Sequence, residues 1–175
     1  MNNKGIILLL VFAVCISSLI VLMKSGASPE KRAVTGSEAP GFELKDTEGR
    51  PWKLSDLKGK VVFLNFWASW CSSCMEENPS LQKLFTAENG NDKFVLMTVI
   101  YNDDPAKAAA YMKQNGLSFP VLVDTVNLAK TYGITGVPET FVIDTKGTLV
   151  RKVIGPMQWD TPDVHDLITK LIAGK

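Results

Sequence analysis

The sequence predicts an α/β domain built on a mixed central sheet with helices packed against it. Three observations carry this. Two long apolar runs, VVFLNFWA at 61–68 and FVLMTVIY at 94–101, have the length and composition of strands buried on both faces. Capped, helix-forming stretches alternate with the apolar runs. Two strand–turn–strand patterns bracket the whole.

The elements follow in order. GFELKDTEGRPWKL, 41–54, places apolar residues on either side of Asp-Thr-Glu-Gly and predicts an N-terminal hairpin. The 61–68 run is the central strand, and the stretch after Cys71 predicts a helix to about Ala87. After the 94–101 strand, Asp104-Pro105 sets a cap residue before a proline at the first helical position. The helix PAKAAAYMKQNG ends in Gly116. FPVLVD gives a third strand and NLAKTYG a short helix. ETFVID, TKG and TLVRKVIG then read as strand, turn and strand. Thr161-Pro162 opens a last helix with Val164, Leu167, Ile168, Leu171 and Ile172 on one face.

At 175 residues the chain accommodates one well-buried domain and an appendage. The appendage is GIILLLVFAVCISSLIVLM, residues 5–23. It carries no charge and as a helix spans about 28 Å, the thickness of a hydrocarbon core. Residues 1–24 are expected to be a transmembrane signal-anchor or uncleaved signal. Ser25 and Ala27 also suit a signal peptidase, so cleavage after Ala27 is the alternative. Lys4 on one side and Lys24, Lys31 and Arg32 on the other leave the positive-inside rule undecided. Either outcome exports the rest, because so short an N-terminal tail stays in the cytoplasm. Cys15 reads as a membrane-buried thiol. Residues 25–38, SGASPEKRAVTGSE, are small and polar and predict a flexible tether to a domain at 39–175.

From Ser25 onward 17 basic residues face 18 acidic ones. A net charge of −1 gives no electrostatic reason to expect nucleic acid.

The chemistry lies in WASWCSSCMEENP, 67–79. Cys71 follows the central strand directly, at the amino end of the next helix. Unpaired backbone N–H groups and the helix dipole there favour an anion by about 0.3–2 kcal/mol, enough to move a thiol from its free value near 8.5 toward neutrality. Cys74, one turn on, lies on the same face and deeper, placed to attack a mixed disulfide formed at Cys71. A zinc site lacks ligands, since only Cys15 and His165 remain, and His165 reads as a solvated helix residue. No metal or other cofactor is expected. A single His also removes Cys–His nucleophilic catalysis. An inert disulfide has no need of a strand-to-helix junction.

These residues carry a family resemblance. VVFLNFWASWCSSC resembles the active-site strand and helix start of thioredoxin-fold proteins, and YGITGVPETFVID resembles their second active-site segment. CSSCMEENPSL is similar to the C-x-x-C-[RK]-x-E-x-P-x-L pattern of the membrane-tethered ResA/TlpA/CcmG group. The resemblance covers about residues 40–173, and 104–124 match that group's central αβ insertion. It implies a thioredoxin-like fold and an extracytoplasmic thiol–disulfide oxidoreductase, mostly a reductant of exported proteins, apocytochrome c among them. A membrane thiol-transporting protein would supply the electrons.

Carried over by position, Pro138 would be a cis proline facing the disulfide, and Val137 would offer its backbone to a substrate strand. Trp70 would belong to the docking surface, and Pro79 would kink the helix. Asn65 stands where thioredoxins bury an acid, so a carboxylate must act from elsewhere. Glu139 matches the group's acid near the disulfide, where it would raise the thiol pKa and accept the proton of Cys74. A solvent-facing strand residue is the alternative reading of Glu139. Glu77 fits the group pattern and equally fits a helix-surface charge. Met75 departs from the usual Arg or Lys.

A thiol peroxidase would need a hydroxyl residue at Ala68 and a proline at Leu64, and a Sco-type copper chaperone a Cys-x-x-x-C. A disulfide donor or isomerase of the same fold remains the main alternative to a reductant. A non-catalytic tethered binding module predicts that losing both cysteines leaves the role intact.

Overall fold

The computed structural model describes residues 11–13, 16–18 and 32–174. The chain divides into two compact units, Met1–Lys31 and Arg32–Lys175. In the first, residues 11–13 and 16–18 are helical. The rest of the 5–23 segment and the Ala27 cleavage position lie outside the described residues. Among the described residues no helix is long and apolar enough to cross a membrane.

The second unit runs β1 (Glu43–Asp46), β2 (Pro51–Lys53), a 3₁₀ turn (Leu54–Leu57), β3 (Val61–Trp67), α1 (Ser72–Ala87), β4 (Phe94–Ile100) and α2 (Pro105–Gln114). It continues through β5 (Val121–Val123), α3 (Leu128–Thr131), β6 (Glu139–Ile143), β7 (Leu149–Ile154) and α4 (Pro162–Ile172). One seven-stranded sheet has the order β2-β1-β5-β4-β3-β6-β7. β3, β4 and β5 are parallel, while β1, β6 and β7 join antiparallel, so the sheet is mixed as expected.

β3 explains its own unbroken apolarity. Val61, Phe63 and Trp67 enter one core with Leu81 and Leu84 of α1, Ala108 and Met112 of α2, and Val164 and Ile168 of α4. Val62, Leu64 and Phe66 enter the other with Phe42, Leu54, Leu128 and Tyr132. A strand covered on both faces has no polar side to alternate with.

Local signals operate as read. Asp104 caps α2 by accepting from Ala106 N at 2.8 Å. Gly116, at φ +64°, follows the helix end in the left-handed region that glycine enters freely. In the first hairpin the buried Asp46 carboxylate accepts from Glu48 N (3.0 Å), Arg50 N (2.9 Å), Arg50 Nε (2.7 Å) and Trp52 Nε1 (3.0 Å).

The polar stretch read as a tether through Glu38 is attached to the domain over its described part. Ala33 N donates to Thr131 O (3.2 Å), Gly36 N to Leu149 O (2.8 Å) and Leu149 N to Ser37 O (2.9 Å). Glu38 bridges antiparallel to Thr148. Backbone pairing does not depend on side-chain polarity, so composition does not reveal it. The His165 side chain keeps 36% of its surface exposed, and its Nδ1 lies 2.8 Å from Glu88 Oε1 at the end of α1.

Candidate active site

β3 ends at Trp67 and α1 begins at Ser72, which leaves Cys71 as the N-cap of α1. Its backbone is extended, at φ −91° and ψ 108°, and its sulfur accepts from Cys74 N at 3.1 Å. The Ser73 hydroxyl lies 3.4 Å from the same sulfur. This is the N-cap arrangement with sulfur in place of the usual oxygen, and it aims amide N–H groups at any charge on Cys71. Cys71 and Cys74 form a disulfide with their Cα atoms 5.3 Å apart. Cys71 is 6% exposed and Cys74 0%, so a macromolecular partner meets Cys71 first.

The second segment converges from the other side of β3. The Val137–Pro138 peptide bond is cis. Val137 O lies 3.4 Å from Cys71 Sγ. Pro138 is buried and leads into β6, where Glu139 pairs with Phe66 and Thr140 with Asn65.

The loop before Cys71 is held by the loop after β4. Tyr101 N donates to Trp67 O (2.8 Å), Ser69 N to Asp103 Oδ2 (2.6 Å) and Trp70 Nε1 to Asn102 O (3.1 Å). Burial acts to raise the Asp103 carboxyl, but the Ser69 and Asp104 hydrogen bonds and the Lys107 charge hold it below its ordinary value. Trp70 is 58% exposed beside the disulfide, and Met75 is also exposed. An open cleft of about 440 Å³, lined by Tyr101, Asn102, Asp103, Asp124, Asn127 and Lys130 among others, begins at this loop.

Below the cysteines lies a polar layer that the residue pattern did not predict. Glu77 is 1% exposed, which removes the helix-surface alternative and leaves the group-pattern one. Its Oε1 accepts from Trp159 Nε1 (2.6 Å) and Met157 N (3.1 Å), and its Oε2 from Asn65 Nδ2 (3.2 Å). Burial raises the Glu77 carboxyl above its ordinary value and outweighs the three hydrogen bonds. Asn65 Nδ2 also donates to Thr140 Oγ1 (2.9 Å). The sequence did hold a signal for this: Glu77, Leu81 and Leu84 share the i, i+4, i+7 stripe of a buried helix face. Trp159, 82 residues from Glu77, has no local signature.

Glu139 is likewise 1% exposed, so it is not a solvent-facing strand residue. It belongs to the opposite sheet face, in register with Phe141 and Ile143. Thr135 N donates to its Oε1 (3.2 Å), and Lys152 Nζ lies 2.7 Å from its Oε2. Lys152, on β7, also sits 5.1 Å over the Phe141 ring. Pro79 stands inside α1 with its ring exposed, and the helix runs unbroken across it.

The comparisons with known proteins agree with this geometry. The AhpC/TSA family model matches residues 35–152. The thiol–disulfide oxidoreductase ResA of Bacillus cereus is 36% identical over 149 residues, covering 78% of this chain and 85% of the relative. A thiol:disulfide interchange protein of the thioredoxin family from Chlorobium tepidum superposes with a TM-score of 0.69 at 26% identity, over 79% of this chain and 98% of that one. The exposed lipoprotein thioredoxin of Streptococcus pneumoniae superposes with a TM-score of 0.62 at 35% identity, over 75% and 100%. A thioredoxin-like sheet, a Cys-x-x-Cys disulfide at a helix N-cap and these relatives lead to one conclusion: the chain belongs to the AhpC/TSA family and is a thiol–disulfide oxidoreductase.

Proposed function

We propose that this oxidoreductase works outside the cytoplasm, tethered by its N-terminal segment, as a reductant of disulfides in exported proteins. The observation that supports it most is the unequal placement of the two sulfurs. Cys71 is capped by the Cys74 N–H at the rim, and Cys74 is buried behind it.

The Cys71 thiolate attacks a client disulfide, breaking the client S–S bond and forming a mixed disulfide while one client sulfur leaves and is protonated. The client chain docks along the Val137 backbone beside Pro138, against the exposed Trp70 ring. Cys74 then loses its proton and its thiolate attacks the Cys71 sulfur. The second client thiol leaves, and Cys71–Cys74 closes as a disulfide. Two electrons have passed to the client, and a membrane dithiol donor returns them. Glu139, on the far sheet face and paired with Lys152, is not placed to take the Cys74 proton; it is assigned only the effect of a negative charge behind Val137, which disfavours the thiolate. Asn65, hydrogen-bonded to Glu77 of the cysteine helix, supports that helix from behind, while Pro79 lies on its exposed side. Apocytochrome c is the favoured client, through the resemblance to the ResA/TlpA/CcmG group.

The reduction potential of the full-length protein, equilibrated with dithiothreitol or glutathione, tests this. A value near or below thioredoxin's, about −270 mV, supports the reductant. A value near about −120 mV would make the protein a disulfide donor. Glu139→Gln removes a negative charge and moves the potential toward less negative values if Glu139 acts as assigned.

A further inference from the structure

Asn78 is a buried polar residue to which the exchange chemistry above gives no task. It stands on α1 four residues beyond Cys74 and seven beyond Cys71, so helical periodicity puts it on the stripe beneath the disulfide. It is 0% exposed, and in the disulfide form neither its Nδ2 nor its Oδ1 has a hydrogen-bond partner among the described residues. A buried amide in that condition is costly, and an apolar side chain of similar volume would avoid the cost. The neighbouring carboxylate does not relieve it, because the donors to Glu77 are Trp159, Met157 and Asn65, and Asn78 is not among them.

The stripe supplies an acceptor in the other redox state. Helical side chains lean toward the helix N-terminus and cover the preceding turn, which for Asn78 is the turn that carries Cys74. A disulfide sulfur is a weak acceptor, whereas a thiolate takes a charge-assisted hydrogen bond. We propose that Asn78 is the hydrogen-bond donor to the Cys74 sulfur when the disulfide is open, held without a partner in the oxidised protein and satisfied in the mixed disulfide and the reduced protein. Opening the disulfide takes two electrons from a dithiol donor and one proton for each sulfur that becomes a thiol. Asn78 shares its N–H with the Cys74 thiolate and transfers no proton. It therefore stabilises the reduced side of the couple, against the effect assigned to Glu139.

The inference rests on the thiol–disulfide reading above, and one experiment separates the two. Full-length wild type, Asn78→Leu and Asn78→Ala are equilibrated with dithiothreitol and glutathione, and each is unfolded by denaturant in both redox states. Both variants are expected to shift the equilibrium about tenfold toward the disulfide, which is about 30 mV for a two-electron couple. The unfolding equilibria should show the same factor as a loss confined to the reduced form. Variants within twofold of a reversible wild-type couple overturn the proposal, because an internal water bonding Asn78 in both states gives that result. Variants that fail to fold in the oxidised form also overturn it, since Asn78 then has an indispensable partner there. A wild type with no reversible couple sinks the thiol–disulfide reading instead.

Discussion

Glu77→Ala removes one carboxylate that three donors share. Trp159 Nε1 and Met157 N have Glu77 Oε1 as their acceptor, while Asn65 Nδ2 keeps Thr140 Oγ1. Two buried donors left alone cost about 1–3 kcal/mol each, and the void adds to this. Burial already disfavours the ionised carboxylate, which offsets part of the sum, so the expected loss is about 2–5 kcal/mol. That is a large part of the roughly 5–15 kcal/mol holding an ordinary domain together. Glu77→Gln keeps an oxygen for Trp159 and Met157, and its expected cost is about 1 kcal/mol. Denaturant unfolding followed by tryptophan fluorescence measures both variants, with an unchanged m-value confirming that the native state is intact. Equal stabilities for the Ala and Gln variants, or an Ala variant within about 1 kcal/mol of wild type, would refute the account of Glu77 as the acceptor of this layer. Its pH signature has a definite sign. The folded carboxyl is raised above its ordinary value of 4.5, so the native state binds the proton more readily than the unfolded chain. The Glu77 contribution is fully present below pH 4.5 and declines as pH rises through the raised folded value. Glu77→Gln flattens the stability profile in that window.

Three further outcomes follow from the same structure. Cys74→Ser should accumulate a mixed disulfide with a client or model peptide at Cys71, whereas Cys71→Ser should form none; intact-mass spectrometry of the adducts reads this directly. Lys152→Met strands the buried Glu139 carboxylate and should cost about 1–3 kcal/mol, less than a fully buried pair because Lys152 is partly exposed. Glu139→Gln in the Lys152→Met background should recover part of that loss, and a double-mutant cycle that sums without coupling would refute the pairing. Asp46→Ala should weaken the first hairpin on every probe of β1 and β2. Burial opposes ionisation of Asp46, but the Trp52, Arg50 and Glu48 hydrogen bonds hold its carboxyl below 3.8. The stability it supplies is therefore present above about pH 3.8 and lost as the pH falls through the lower folded value; the variant should show a flatter acid limb.

The sequence by itself determined the central strand, the helix that follows it and the placement of Cys71 at their junction. Each of these is written in contiguous residues: an apolar run of strand length, two cysteines one turn apart, and turn or cap residues at the element ends. It also carried the second segment, whose resemblance to a known motif placed Val137 and Pro138 opposite the disulfide. Only the tertiary structure decided what the charged and amide side chains do. Glu77 fitted a family pattern and a helix-surface charge equally because its partners, Trp159 and Met157, enter from the far end of the chain. The sequence matched Glu139 to an acid near the disulfide but gave no sign of its cation, which lies across a strand pair at Lys152. Residues 33–38 look like linker by composition, yet they bind through backbone groups that every sequence possesses. Asn78 gave no sign at all, for a polar residue on a helix reveals its burial only when the core closes over it. Local patterns specify elements through short-range geometry; burial and pairing of polar groups are long-range outcomes, set when distant segments exclude water from the same place.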